Sequence, residues 1–447
     1  MVTLQAYFTG RPMIRLIKLP VAAGFALLLA AGSVPSAGAQ GAAAAQDRPV
    51  SPAHLEGIAK QYRVDAITAR RFNHDQFWRA VGPFVSRPAL AAADIGSSMH
   101  GRAIRAVRFG NGPTTVLLWS QMHGDESTAS MSLADIFSFL AADAEDPFRS
   151  RLAKQLTIHF IPMLNPDGAE VFERQNAAGI DINRDARRLS SPEARALKGY
   201  HDRVKPDFGF NLHDQSARTR VGRQGLQAGI SLLAPAFDQS RGYNEVRSRA
   251  RLVAATIVAT LDDSLHGRIG KYDDSFNPRA FGDLVQQWGT STVLIESGAL
   301  PGDPEKQRLR ARNVVAILAA LDAIAIGSYQ DADPELYEAL PYNAGGAYDL
   351  LVVGGQLVLA GQPAMRADIA INYDEAVRKQ DGRVREVGDL EGAVALDTLD
   401  ISGKFLHPRP EALHPVTGGP RLEIGAAAKF DIRVGADATS EISGKID

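Results

Sequence analysis

Three short apolar runs in this chain each stop at a residue able to do chemistry. Residues 115–122 (TVLLWSQM) lead into His123-Gly124-Asp125-Glu126, residues 207–212 into His213, and residues 292–295 (TVLI) into Glu296. Runs this short, β-branched or alternating and without helical spacing, predict buried strands. Residues 103–109 and 156–163 read as further strands, and Asn111-Gly112 predicts a tight hairpin joining 103–109 to the run before His123. Residues 54–84 read as one or two helices and 126–142 as another. Strand and helix patterns keep alternating to about Tyr329, which predicts an α/β fold: a mixed, mostly parallel β-sheet flanked by helices. In open sheets of this class the ligand crevice lies outside the carboxyl ends of the strands. All three chemically active residues are expected at such ends.

The pattern changes near Asp333-Pro334. Beyond Tyr348 the runs are short strands (350–353, 356–359, 368–371) punctuated by Gly and Pro, and helical periodicity is scarce. Residues 354–359, 400–405 and 425–435 faintly resemble the composite β-sandwich attached to many amidohydrolases, although the His-x-His metal motif of those enzymes is absent. The expected division is a signal peptide at 1–39, a linker and helices at 40–85, a catalytic domain at 86–332 and a C-terminal β-sandwich-like accessory domain at 333–447.

Composition narrows the chemistry. The 447 residues are 45% hydrophobic and 22% charged, ordinary for a globular chain, and none is cysteine. Disulfides, thiolate nucleophiles and Cys-based metal sites are excluded, so any metal must be held by His and carboxylates. Arg15 and Lys18 precede a short apolar stretch at 21–31, well short of the ~20 residues that span a bilayer. Ala37-Gly38-Ala39 then offers a small-x-small cleavage site. Removing residues 1–39 takes away three basic groups and no acidic one, leaving 46 basic against 51 acidic. The expected destination is outside the cytoplasm, secreted or periplasmic, with no membrane anchor after cleavage. No basic block points to nucleic acid.

A histidine and a carboxylate three positions apart suit zinc, which takes His nitrogen and Glu oxygen at roughly 2.0–2.2 Å. A catalytic zinc needs a third protein ligand, an open position for water, and a base to use that water. His213 and Glu296 are the candidates for ligand and base. Taken together, His123-x-x-Glu126, Asn165-Pro166-Asp167-Gly168, Asn183-Arg184, His213 and Glu296 resemble the carboxypeptidase A-like zinc peptidases over residues 90–330, with the compact spacing of the bacterial secreted branch.

That resemblance implies one zinc per chain held by His123, Glu126 and His213, with Glu296 as general base. It also implies that Arg174 polarises the substrate carbonyl, that Asn183 and Arg184 bind the terminal carboxylate, and that Tyr272 stands for the family's mobile tyrosine. The implied partner is a peptide with a free C-terminal carboxylate. Asn165-Pro166-Asp167-Gly168 is expected to provide shape, with Asp167 able to orient a ligand, and Asp125 and Asp214 are second candidates for that task. His159 is expected in the core; His54, His74, His100, His201, His266, His407 and His414 are expected at the surface or in turns. Three other readings share parts of this pattern: a peptidase of cell-wall stem peptides, an acyl-amino-acid deacylase, and a non-catalytic peptide-binding protein. Asn183-Arg184 favours an exopeptidase, and Glu296 favours an enzyme over a binder.

Overall fold

A computed structural model describes residues 48–414 and 420–447; the leader expected at 1–39 lies outside them. Residues Pro49–Asp447 form one compact unit. Two helices open it, α1 (Pro52–Gln61) and α2 (His74–Val85). Ser51 caps α1 ahead of Pro52, and Asn73 and Gln76 cap α2 reciprocally, each side chain bonding the other's backbone N–H. Leu55 and Ile58 of α1 and Phe77 and Val81 of α2 are buried in the same core as the central sheet.

The central sheet has eight strands: β1 (Leu90–Ser97), β2 (Ala103–Phe109), β3 (Thr114–Ser120), β4 (Leu156–Ile161), β5 (Phe208–Asp214), β7 (Ile230–Leu233), β8 (Ile269–Lys271) and β9 (Ser291–Ser297). A two-residue strand outside it, β6, spans Arg220–Val221. The spatial order is β1-β2-β4-β3-β5-β9-β7-β8. The centre, β4-β3-β5-β9, is parallel, and β2 and β7 run against it. Helices α3 (Thr128–Leu140), α4 (Pro166–Val171), α5 (Phe281–Gln287) and α6 (Gln307–Ile326) are the others that bear on the site. The mixed α/β class and parallel centre agree with the expectation, and the continuous apolar runs follow from burial on both faces.

The Asn111-Gly112 hairpin does not form. β4 lies between β2 and β3, pairing antiparallel with one and parallel with the other. The Asn-Gly loop instead packs on the entry to β4: Asn111 N–H bonds the Ala153 carbonyl and Gly112 N–H that of Leu156, both at 3.0 Å. A Cβ on Gly112 would stand 2.0 Å from the Gln155 carbonyl carbon. The glycine is there for a close backbone approach, which local sequence cannot separate from a turn.

Residues beyond 343 build two smaller sheets and a two-stranded ribbon, Leu413–His414 with Arg421–Leu422. One sheet has four strands, in spatial order Gln380–Gly388, Asp368–Glu375, Tyr348–Val353 and Ala395–Asp400; the other sheet has five, including Phe405–Pro408 and Phe430–Arg433. Leu350, Ile369 and Val384 of the first share an apolar core with Leu406, Phe430 and Ile432 of the second. No described helix is long and apolar enough to cross a membrane.

Candidate active site

The centre of the sheet sets the register of the site. β3, β5 and β9 are neighbours, Ser120 lies opposite Leu212, and His213 lies opposite Glu296. One step past β3, Gln121 takes φ 50°, a left-handed value rare for a side-chain-bearing residue, and turns the chain into the His123 loop. Gln121 Nε2 donates to the Gly124 carbonyl at 2.9 Å. Gly124 meets Gly168 backbone to backbone; a Cβ there would stand 2.0 Å from the Gly168 carbonyl carbon. Asn165 caps α4 by accepting from Gly168 N–H and sends its amide to the carbonyls of Arg174 and Gln175. Asn165-Pro166-Asp167-Gly168 therefore shapes the loop that carries His123 and Glu126.

His123, Glu126 and His213 are buried, and one donor atom from each lies within 4.8 Å of the others, the cluster suited to a metal among the described residues. Glu126 bridges the two imidazoles, Oε1 at 2.7 Å from His123 Nδ1 and Oε2 at 2.6 Å from His213 Nδ1. Two nitrogens and a carboxylate converging in this way fit the donor preference of zinc. Burial works to lower the His123 imidazole, and the Glu126 and Asp181 carboxylates overcome it, raising it to about 9. Burial holds His213 below the usual histidine value.

Asp181 was not singled out in the sequence, yet it faces His123 from behind. Its Oδ1 lies 3.0 Å from His123 Nε2, and its Oδ2 accepts from Arg174 Nε and Nη2 at 3.1 and 3.0 Å. A carboxylate on the far nitrogen of a ligating histidine fixes its tautomer and orientation. The available signal was a carboxylate between Arg174 and Asn183. The three acids considered for that task do other things. Asp167 accepts from Ser98 Oγ, His100 N–H and Arg102 Nη1. Asp214 accepts from Thr128 Oγ1 and Lys306 Nζ. Asp125 Oδ1 is buried with no partner among the described residues.

The eight residues that the resemblance assigns to metal, catalysis or substrate all line one cavity of about 1100 Å³. Arg174 Nη1 reaches Glu126 Oε1 at 3.1 Å. Asn183 Nδ2 lies 3.4 Å from His213 Nε2, and its Oδ1 accepts from Phe281 N–H of α5 at 2.9 Å. Among the described residues Arg184 donates only to the Asn183 carbonyl, leaving most of its guanidinium to the cavity. Glu296 is buried, and among the described residues its Oε2 has no hydrogen-bond partner. Burial, then the Glu126 carboxylate, pushes it well above the usual carboxylate range. Tyr272, partly exposed just past β8, faces the same carboxylate; Glu296, then burial, raises its phenol to about 12.

Outside the site, His159 is buried against the Tyr200 hydroxyl as expected. His74 and His201, expected at the surface, are buried: their Nε2 atoms meet the Ala103 carbonyl and Thr290 Oγ1. Both sit on helix faces turned to the sheet, which a histidine without a spaced partner does not announce.

Residues 86–218 match the zinc carboxypeptidase family, peptidase M14. Carboxypeptidase 2 of Trichophyton rubrum is 28% identical over 135 residues, 30% of this chain and 23% of the relative. Carboxypeptidase SOL1 of Arabidopsis thaliana is 24% identical over 166 residues, 33% of this chain and 34% of the relative. Carboxypeptidase Z of Homo sapiens is 30% identical over 147 residues, 27% and 22% respectively. The match spans about a quarter of the length of the first curated relatives. Among solved structures, a metallo-carboxypeptidase from Burkholderia cenocepacia aligns with a TM-score of 0.46 and 19% identity, covering 58% of this chain and 70% of that one. The match to the zinc carboxypeptidase family thus covers residues 86–218 of this chain.

Proposed function

We propose that the chain is a zinc-dependent metallocarboxypeptidase that removes the C-terminal residue of peptides. One observation carries this reading: His123, Glu126 and His213 converge beside the unpaired carboxylate of Glu296 in a cavity that also holds Asn183 and Arg184. An unpaired buried acid beside such a cluster is costly in a purely structural role, whereas hydrolysis needs a base at that place.

In this reading His123, Glu126 and His213 would hold one zinc ion, and Asp181 keeps His123 in the tautomer that suits ligation. Zinc held by these residues would supply a Lewis acid that activates water and polarises the scissile carbonyl. Arg184 and Asn183 take the terminal carboxylate, the guanidinium by two parallel N–H bonds and the amide by one. That grip places the last peptide bond, and no other, beside Glu296. Glu296 takes a proton from the attacking water and delivers it to the departing amide nitrogen. Arg174, on the cavity wall next to Glu126, donates to the carbonyl oxygen as negative charge grows on it. The Tyr272 hydroxyl, held protonated by the acids it faces, closes over the terminal residue as a donor. We place this chemistry in a catalytic unit at 86–332, exported by the leader at 1–39.

Metal analysis of the purified protein, with amino-acid release from paired peptides bearing free and amidated C-termini, tests the proposal. We expect one zinc per chain and release from the free acid only. Equal release from the amidated peptide would remove the carboxypeptidase reading.

A further inference from the structure

The cavity is larger than one terminal residue requires, and part of its wall comes from beyond residue 333. Tyr342, Asn343 and Gly345 line it together with the metal-site residues. They are built in. Strand β10 (Asn343–Ala344) pairs antiparallel with β6. Gly222 N–H bonds the Tyr342 carbonyl and Lys271 N–H that of Pro341, both at 2.9 Å. The Asn343 side chain donates to Gln215 Oε1 and accepts from Ser231 Oγ, each at 2.7 Å. Gln215 N–H in turn bonds the Ser297 carbonyl, and Ser231 lies opposite Glu296 in the β7–β9 ladder. Asn343 thus ties this segment to the strand end that carries the unpaired acid.

Tyr342 is 51% exposed on that fixed backbone. Sheet order says which end of the cleft it occupies. Asn183 stands at the end of β5, beside His213. Tyr342 is bridged to Lys271 of β8, on the far side of β9 and β7. With strands about 4.8 Å apart, the two ends are roughly 15–20 Å from each other. An extended peptide covers that span in roughly five residues at about 3.3 Å each. A chain whose carboxylate sits on Asn183 and Arg184, and whose last bond lies at Glu296, would bring an upstream residue to Tyr342.

We propose that Tyr342, held in place by Asn343, binds the segment of the peptide N-terminal to the scissile bond, which makes the C-terminal strand-rich region part of the substrate site and extended peptides the preferred substrate class. An exposed aromatic ring on a rigid wall offers contact area to a side chain or a peptide plane at little entropic cost. This inference rests on the carboxypeptidase reading. It is tested with the full chain, zinc-loaded, on an N-acetylated dipeptide and an N-acetylated hexapeptide sharing their last two residues. The hexapeptide is expected to have a kcat/KM about tenfold higher, and Tyr342→Ala to abolish most of that preference through KM. Tyr342→Phe, which keeps the ring, should retain it. Equal kcat/KM for the two peptides in the wild type, or a preference that survives Tyr342→Ala, would overturn the inference and leave the carboxypeptidase reading standing. Failure of the zinc-loaded wild type to cleave either peptide would overturn both.

Discussion

Two places in this molecule bury charge, and they do so in opposite ways. Between α3 and α6, Arg310 and Asp135 are both almost fully buried and every guanidinium nitrogen is used. Arg310 bonds both Asp135 oxygens, the carbonyls of Ile67 and Val64, and Gln307 Oε1. Asp135 also accepts from Val64 N–H at 2.7 Å. This pair fastens the segment before α2 onto the core, and nothing is left over for a ligand. At the carboxyl edge of the sheet, Glu126 is saturated by imidazole and guanidinium, while Glu296 beside it keeps a bare buried oxygen. Closed networks mark scaffold, and a polar group left open at a strand end marks the place where a substrate or ion supplies the missing partner.

Four experiments break or sharpen that contrast. Arg310→Ala leaves the Asp135 charge buried without a counter-ion and should cost about 3–5 kcal/mol of stability. A denaturation curve close to wild type would mean the network is not what holds the N-terminal segment. Glu296→Gln should lower kcat by about 10²–10⁴ with no loss of stability, since it removes a carboxylate that Glu126 repels. If instead it unfolds as readily as Arg310→Ala, Glu296 belongs to the scaffold.

Asp181→Asn keeps a hydrogen-bonding side chain behind His123 and loses its charge. Metal affinity should fall about 10–100-fold, as read by competition with a chelator. An unaltered affinity would place His123 outside the metal site. The smallest effect is expected at Asp283, on the cavity wall, where burial pushes the carboxyl up to about 6 although Asn277 N–H donates to it. Its folded value exceeds the unfolded one, so its penalty is absent below about pH 4 and grows as pH rises through 6. Asp283→Asn should therefore stabilise the protein by about 1–2 kcal/mol at pH 7 and by nothing at pH 4. The same gain at both pH values would assign the effect to packing.

The chain by itself determined the strands that lead to His123, His213 and Glu296, because a strand buried on both faces needs a continuous apolar run, which shows in the local sequence. It also restricted any metal to histidine and carboxylate by having no cysteine. Only the tertiary structure decided which strands are neighbours. Asn111-Gly112 reads locally as a hairpin, yet β4 arrives from 45 residues on and separates the two strands it would have joined. The same holds for the choice of Asp181 over Asp125, Asp167 and Asp214, for the burial of His74 and His201, and for Tyr342 lining the cavity. Periodicity reports which face of one element is apolar. A polar side chain's partner is set by packing between elements distant along the chain, where that local signal does not reach.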